Sequence, residues 1–458
     1  MPESDEELRD EDYALDSDRV ARITDAVRAG DGPLLASLLD QLHPADIADL
    51  LEQVDGGTRA ELLRFWGREI GGEVLSELDE SLRAEVIAAL PPEVLAEAVR
   101  DLDSDDVVDL VEDLEETQRR LILGTLAPGE RVAVEQALAY PDYSAGRLMQ
   151  REVARAPDHW TVGETIDFMR RMREGLPGQF YHVILVDPKM RPTGYVTLGK
   201  ILSSPRFTPL RDITEDSFRT VPVDMPEAEV AYAFNQYHLI SMPVVDANER
   251  LVGVITIDDA MAVLDEEHEE DILRLAGVGE NRISDRVRDT TLRRLPWLAA
   301  NLATAIVASL VIAQFDTVIQ QVVALAILMP IVASMGGNAG TQSMTVAVRA
   351  LATKDLTGAN VWRVIRRETL VGLINGAVFA VVMGVVGVIW FGSPGLGYVI
   401  AAAMVVNLLA AGLAGILIPL GLDRMGVDPA LASGTFVTTV TDVVGFFVFL
   451  GLGVLVLL

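Results

Sequence analysis

The 458-residue chain contains no cysteine. Disulfides, thiolate metal sites and cysteine nucleophiles are therefore excluded. Histidine is scarce, with five residues scattered at His43, His159, His182, His238 and His268, which leaves little for imidazole metal sites or triads. Lysine occurs only at Lys189, Lys200 and Lys354. The chain has no Walker GxxxxGK[ST], HExxH or GxSxG pattern. The usual marks of phosphoryl transfer, zinc proteolysis and serine hydrolysis are thus missing, and no enzyme is expected. The opening MPESDEELRDED is polar and acidic, without the apolar run of a secretory signal.

Positive charge is also in short supply, and unevenly so. Residues 295–458 carry six basic and six acidic side chains, so the whole net charge of −31 falls on residues 1–294, with 31 basic and 62 acidic groups. An acidic half is joined to a neutral, apolar half. The acidity argues against nucleic acid as a partner, because phosphate binding needs basic patches. It suits hard cations, which take oxygen ligands. Diffuse acidity also serves solubility, so only placed carboxylates can point to sites.

The acidic half is organised by repetition. Residues 1–30 are expected to be acidic and loosely ordered. From Leu42 an apolar anchor recurs every 12 positions, at Val54, Trp66, Leu78, Leu90, Leu102, Leu114 and Leu126. A unit that short holds one helix of about two turns and cannot bury its apolar face alone, so residues 31–138 read as a superhelix of stacked short helices. Residues 139–257 change character. HVILVDPKMRPTGYVTL (182–198) and MPVVDANERLVGVITI (242–257) each read as two strands around a turn. They align at an offset of 59, Asp187 with Asp246 and Gly194 with Gly253, and each follows a helical segment. This tandem α/β unit resembles a pair of CBS modules. A long acidic helix follows, over 258–281, and residues 282–294 are basic.

Residues 282–458 hold five apolar segments, about 295–315, 318–346, 369–391, 396–422 and 429–458, each near or above the length that spans a bilayer. Basic residues cluster before the first segment, between the second and third, and between the fourth and fifth. The positive-inside rule then places the acidic half in the cytosol and the C-terminus outside the cell membrane. Two spans are not simply apolar. The second contains PIVASMGGNAGTQ (330–342), where Pro330 should interrupt the helix. Gly336, Gly337 and Gly340 allow close approach, and Asn338, Thr341 and Gln342 add polarity. In the fifth, Thr435, Thr438 and Asp442 share one helical face, widened by Thr441 and Gly445. A carboxylate at mid-span costs about 2.5–3.5 kcal/mol on insertion scales, and no Lys, Arg or His lies inside any segment to neutralise it. The pattern points to an ion pathway through Asp442, Thr438, Thr441, Gly337, Asn338 and Gln342.

The order of these parts resembles the MgtE family of magnesium channels. The resemblance rests on SAGRLM (144–149), Pro330 with GGNAGTQ (336–342), GVDPALAS (426–433) and TTVTDVVG (438–445), and runs through nearly the whole chain. It implies a polytopic α-helical membrane protein of five transmembrane helices, with a cytosolic all-α superhelical domain and an α/β tandem CBS domain. It further implies a homodimer in the lipid bilayer, with a pore lined by the second and fifth spans and the pore carboxylate at Asp442. The acidic helix would be a plug bearing Asp259, Glu267, Glu270 and Asp271, with Asp428 at the cytosolic mouth. Regulatory positions fall on Glu73, Asp105 and Asp109. Mg2+ would be both cargo and regulatory ligand, and ATP is a candidate ligand of the CBS pair. The chain departs from the family pattern at Pro226, Ala228, His238, Ala262 and Gly434, which puts the number of regulatory ions in question. Two rival expectations are another divalent cargo on the same architecture and a membrane-anchored CBS sensor without transport.

Overall fold

A computed structural model describes residues 15, 17–100, 102–112, 114–172, 176–278, 287–356 and 358–458. The chain divides into two compact units near residue 267.

The first unit opens with α1 (Ser17–Ala29) and α2 (Gly32–Leu39). The expectation of a loosely ordered 1–30 therefore fails for α1. That helix buries Ile23, Ala26 and Val27 while its charged residues face outward; residues 1–14 and 16 lie outside the described residues. Eight helices follow: α3 (Pro44–Gln53), α4 (Gly56–Trp66), α5 (Gly72–Ser76), α6 (Glu80–Ala89), α7 (Pro92–Arg100), α8 (Ser104–Glu112), α9 (Glu116–Leu123) and α10 (Pro128–Ala137). Their starts advance in steps of 12, except that α5 begins four residues late. The anchors Val54, Trp66, Leu78, Leu90 and Leu114 are buried in one continuous core, and Leu42, Leu102 and Leu126 pack against it. Each buried Leu contributes about 1.5–3 kcal/mol, which helices this short need because they are marginal alone.

Helices in the array pack chiefly on the next but one: α3 on α5, α5 on α7, α7 on α9, α4 on α6 and α8 on α10. Two arginines 24 positions apart repeat the same joint. Arg59 donates to the carbonyls of Leu51 (2.8 Å) and Val54 (3.2 Å) and pairs with Glu85 (3.2 Å). Arg83 donates to Leu78 O (3.2 Å) and pairs with Asp109 (2.9 Å). Both guanidiniums are largely buried, so each satisfies carbonyls left open at the C-terminus of the preceding helix.

The tandem repeat forms after α11 (Ala145–Leu148). The first module holds β1 (Arg155–Pro157), α12 (Val162–Arg171), β2 (His182–Val186), β3 (Pro192–Thr197) and α13 (Leu198–Ser203). The second holds β4 (Val221–Pro222), α14 (Glu227–Tyr237), β5 (Ser241–Val245) and β6 (Leu251–Thr256), and leads into α15 (Ile257–Leu275). Each module is a three-stranded sheet with one parallel and one antiparallel pairing. The offset of 59 persists through the antiparallel strand pairs and their turns, whereas the first strand and the helix of each module stand 65 residues apart, Ala156 with Val221 and Val162 with Glu227. His182 pairs with Thr197 as Ser241 pairs with Thr256. The Asp187 and Asp246 carboxylates each accept two turn N–H groups at 2.8 Å. The two modules meet through equivalent positions, His182 Nδ1 lying 2.5 Å from Ser241 Oγ. The acidic helix is shorter than expected: α15 ends at Leu275, and residues 279–281 lie outside the described residues.

The second unit contains five helices long and apolar enough to cross a membrane: α16 (Val287–Ala313), then, after the short α17 (Asp316–Gln321), α18 (Val323–Ala352), α19 (Val361–Phe391), α20 (Pro394–Arg424) and α21 (Pro429–Leu457). The second span starts at Val323 rather than at 318, because Val322 leaves helical geometry and ends α17. Helix α20 is the hub, packed by α18, α19 and α21. The expected interruption at Pro330 is absent. Helix α18 runs unbroken through Pro330 and the glycines, as membrane helices can when neighbours re-satisfy the freed backbone groups.

Candidate functional site

Helix α18 presents two faces of opposite use. Gly336 and Gly340 are buried against neighbouring helices. A Cβ on Gly336 would lie 2.3 Å from the Asn407 amide nitrogen of α20, and one on Gly340 would lie 2.6 Å from Val437 of α21. Asn407 is wholly buried. Its amide donates to Val332 O at 2.8 Å and also fills the space left by Gly445 on α21. These glycines form a packing seam, and they set the rotation of α18. The other face is then polar and exposed: Ser334, Asn338, Thr341, Gln342 and Thr345, with Gly337 beside them. Its hydroxyls are partly held within the helix, Thr341 donating to Gly337 O (2.9 Å) and Thr345 to Thr341 O (3.0 Å). Ser334 and Thr345 were missed in the sequence, although 334, 338, 341 and 345 keep the spacing of one helical face.

On α21 the expected stripe is narrower. Thr438 is exposed and Asp442 half-buried. Thr441 is fully buried and donates to Thr438 O at 3.0 Å, and Gly445 is turned against Asn407. The expectation that Thr441 lines the pathway is therefore corrected: it belongs to the contact with α18, near Gly340. Thr435 is also engaged, donating to Asn301 of α16 at 2.7 Å, a partner the sequence did not suggest. Among the described residues the Asp442 carboxylate has neither an ion pair nor a hydrogen-bond partner. A second carboxylate in a spanning helix, Glu368, is buried and engaged, accepting from Ser343 (3.1 Å) and Arg367 (3.1 Å). Glu368 is held as structure, and Asp442 is left free.

The remaining predicted carboxylates fall into separate groups. In the second unit, Asp428 caps α21 by accepting from Ala430 N–H at 2.8 Å and pairs with Arg274 at 3.5 Å. Arg274 also binds Glu270. Burial, then the Asp428 charge, holds the Asp271 carboxyl above its ordinary range.

In the first unit, Asp105 at the start of α8 is only 9% exposed. Burial, and next the charge of Asp259, push its carboxyl well above the usual range. Asp259 is itself raised to about 7, chiefly by burial, although it accepts from Thr256 Oγ1 at 2.6 Å. Asp106 is raised to about 6 by burial and by Asp103, Asp109 and Asp258. Glu227, which the sequence did not single out, is raised to about 7 by burial and by Glu266, Glu112, Glu267 and Asp109. Asp109, one turn on from Asp105, is exposed and paired with Arg83 rather than buried. Glu73 is exposed. Among the described residues no three such groups converge closely enough to hold an ion. All donors present are hard oxygens, the set that Mg2+ and Ca2+ take.

Three family models match the chain: a divalent cation transporter domain over residues 329–452, an MgtE intracellular N domain over 42–143 and a CBS domain over 210–266. The magnesium transporter MgtE of Thermus thermophilus is 35% identical over 338 residues, covering 72% of this chain and 74% of that protein. The chain belongs to the MgtE family. The magnesium transporter MgtE of Enterococcus faecalis is 32% identical, covering 69% of this chain and 70% of that one. Among solved structures, the cytosolic domain of the Mg2+ channel MgtE in complex with ATP is 30% identical, covers 53% of this chain and 99% of that one, and superposes with a TM-score of 0.49. As a member of the MgtE family, the protein combines a cytosolic helical domain and CBS modules with a multi-pass membrane domain. The CBS match covers the second module only; the first shares its sheet order and register.

Proposed function

We propose that this chain conducts Mg2+ across the cell membrane as a homodimer, along a path lined by the polar faces of α18 and α21. The observation that carries this reading is Asp442, a half-buried carboxylate in a spanning helix with no basic partner among the described residues. A charge in that position is retained where it meets water or a cation. Two copies brought together on a two-fold axis would double the negative charge, which favours a divalent ion. Mg2+ gives up its hydration shell reluctantly. Asp442 with Thr438, Asn338, Gln342 and the carbonyl of Gly337 would therefore hold the hydrated ion through its waters. The C-terminus lies outside the cell in this reading.

Closure follows from the raised carboxylates. Asp105, Asp106 and Asp259 repel one another when ionised, as Glu227 repels Glu266 and Glu112, and divalent cations at these groups would remove that repulsion as a proton does. High internal Mg2+ would thereby favour the compact cytosolic arrangement and the closed pore. This is a two-state equilibrium biased by a ligand that binds one state better. ATP is a further ligand proposed for the CBS modules. Mg2+ uptake into proteoliposomes tests the pathway. Asp442→Asn should reduce uptake to the level of empty vesicles while the protein still elutes as a folded species; undiminished uptake would sink the proposal. Competition with Co2+, Mn2+ and Ca2+ in the same vesicles separates Mg2+ from the other divalent cargoes.

A further inference from the structure

We propose that a groove between α19 and α20 binds an anionic phospholipid of the cytosolic leaflet, its phosphate on Arg366 and an acyl chain along the groove. The groove has a volume of about 440 Å³ and is lined by Trp362, Ile365, Arg366, Thr369 and Leu370 of α19 with Leu413 and Leu417 of α20. The α19 residues recur at i, i+3, i+4, i+7 and i+8, one face of the helix. The Thr369 hydroxyl is turned back onto Ile365 O at 2.7 Å, so the one charged group of the lining is Arg366, set midway between Trp362 and Leu370.

That cation lacks an anion. Among the described residues neither the Arg366 guanidinium nor that of Arg363, one position after Trp362, has an ion-pair or hydrogen-bond partner. The carboxylate of this stretch, Glu368, is buried away from the groove and taken by Ser343 and Arg367. An exposed guanidinium beside a lipid-facing groove calls for an anion that brings its own apolar body. A phospholipid supplies both in one molecule, and the planar fork of arginine suits phosphate. The depth fits as well. Trp362 is 75% exposed and sits at the start of α19, next to the basic loop that the positive-inside rule places in the cytosol. Tryptophan favours that headgroup level, and anionic lipids enrich that leaflet.

Native mass spectrometry of the full-length protein in detergent tests this, with phosphatidylglycerol and phosphatidylcholine of identical acyl chains as probes. One cationic contact at the membrane surface corresponds to about fivefold preference for the anionic lipid. The unaltered protein should show that preference, Arg366→Gln should abolish it, and Arg366→Lys should keep part of it. Leu417→Trp, which fills the groove, should lower retention of both lipids. Four results overturn the proposal: no preference in the unaltered protein, a preference that survives Arg366→Gln, binding of soluble glycerol phosphate as tight as the lipid, or a changed oligomeric state in Leu417→Trp, which would show a second copy covering the groove.

Discussion

Two threonines one turn apart on α21 have different fates. Thr438 is exposed beside Asp442, whereas Thr441 is buried with its hydroxyl returned to its own helix. Thr441→Val keeps the shape and removes only that internal bond, so Mg2+ uptake should be unchanged. Thr438→Val should lower uptake, because it removes an oxygen from the proposed path; uptake assays on both variants check the assignment. The glycines of α18 divide the same way. A methyl at Gly340 would meet Val437 at 2.6 Å, while one at Gly337 meets nothing within 4 Å. Overpacking of that kind costs about 1–3 kcal/mol. Gly340→Ala should therefore lower the melting temperature in detergent, and Gly337→Ala should leave it unchanged. The sequence showed that polar and small residues were concentrated here. It could not show which glycine faced which neighbour, because that depends on Asn407, 71 positions beyond Gly336 in the chain. Glu227 was hidden for a similar reason: its perturbation comes first from burial and then from Glu266 and Glu112, an environment of residues distant in sequence that only the fold brings near.

Elements with a strict period were the legible ones. The 12-residue step, the 59-residue offset and five long apolar runs all survive into the structure, since each is imposed by a repeated burial requirement. The helix α1 was obscured because it lies outside the 12-residue repeat and directly follows the acidic opening stretch, and α17 because Val322 carries no turn signature. Helix α15 carries the regulatory proposal at this scale. Arg274 joins Glu270 of its own helix to Asp428 at the start of α21. Arg274→Gln should leave uptake intact in Mg2+-free vesicles and weaken its suppression by high internal Mg2+. Dose–response curves for internal Mg2+ would show a rightward shift; an unchanged curve would remove Arg274 from the gate.

The raised acids add a pH dependence to the same helix. Asp106, Asp259 and Glu227 stand at about 6, 7 and 7 in the folded protein against about 4 when unfolded. Their protonated forms favour folding, a contribution fully present below about pH 4 and lost as pH rises through 6 to 7. Without Mg2+, residues 104–112 and 257–267 should exchange amide hydrogens faster at pH 7.5 than at pH 5.5, after correction for intrinsic rates. Added Mg2+ should slow exchange more at pH 7.5, where the carboxylates are ionised.

At the scale of the whole molecule, the conduction proposal requires two copies. Native mass spectrometry should give twice the 49.6 kDa protomer, and a strictly monomeric protein with full uptake would remove the paired Asp442 arrangement. The cytosolic array has a different large-scale property. Because its helices rest on the next but one, and because Arg59 and Arg83 repeat one joint 24 positions apart, it is two interleaved columns rather than one. Excising a single 12-residue unit would move every later helix into the opposite column and, where the cut falls between them, part Arg59 from Glu85 or Arg83 from Asp109. Excising 24 preserves the parity. Length in such an array is therefore quantised in pairs of helices, and a shortened protein that still folds should lack 24 residues, not 12.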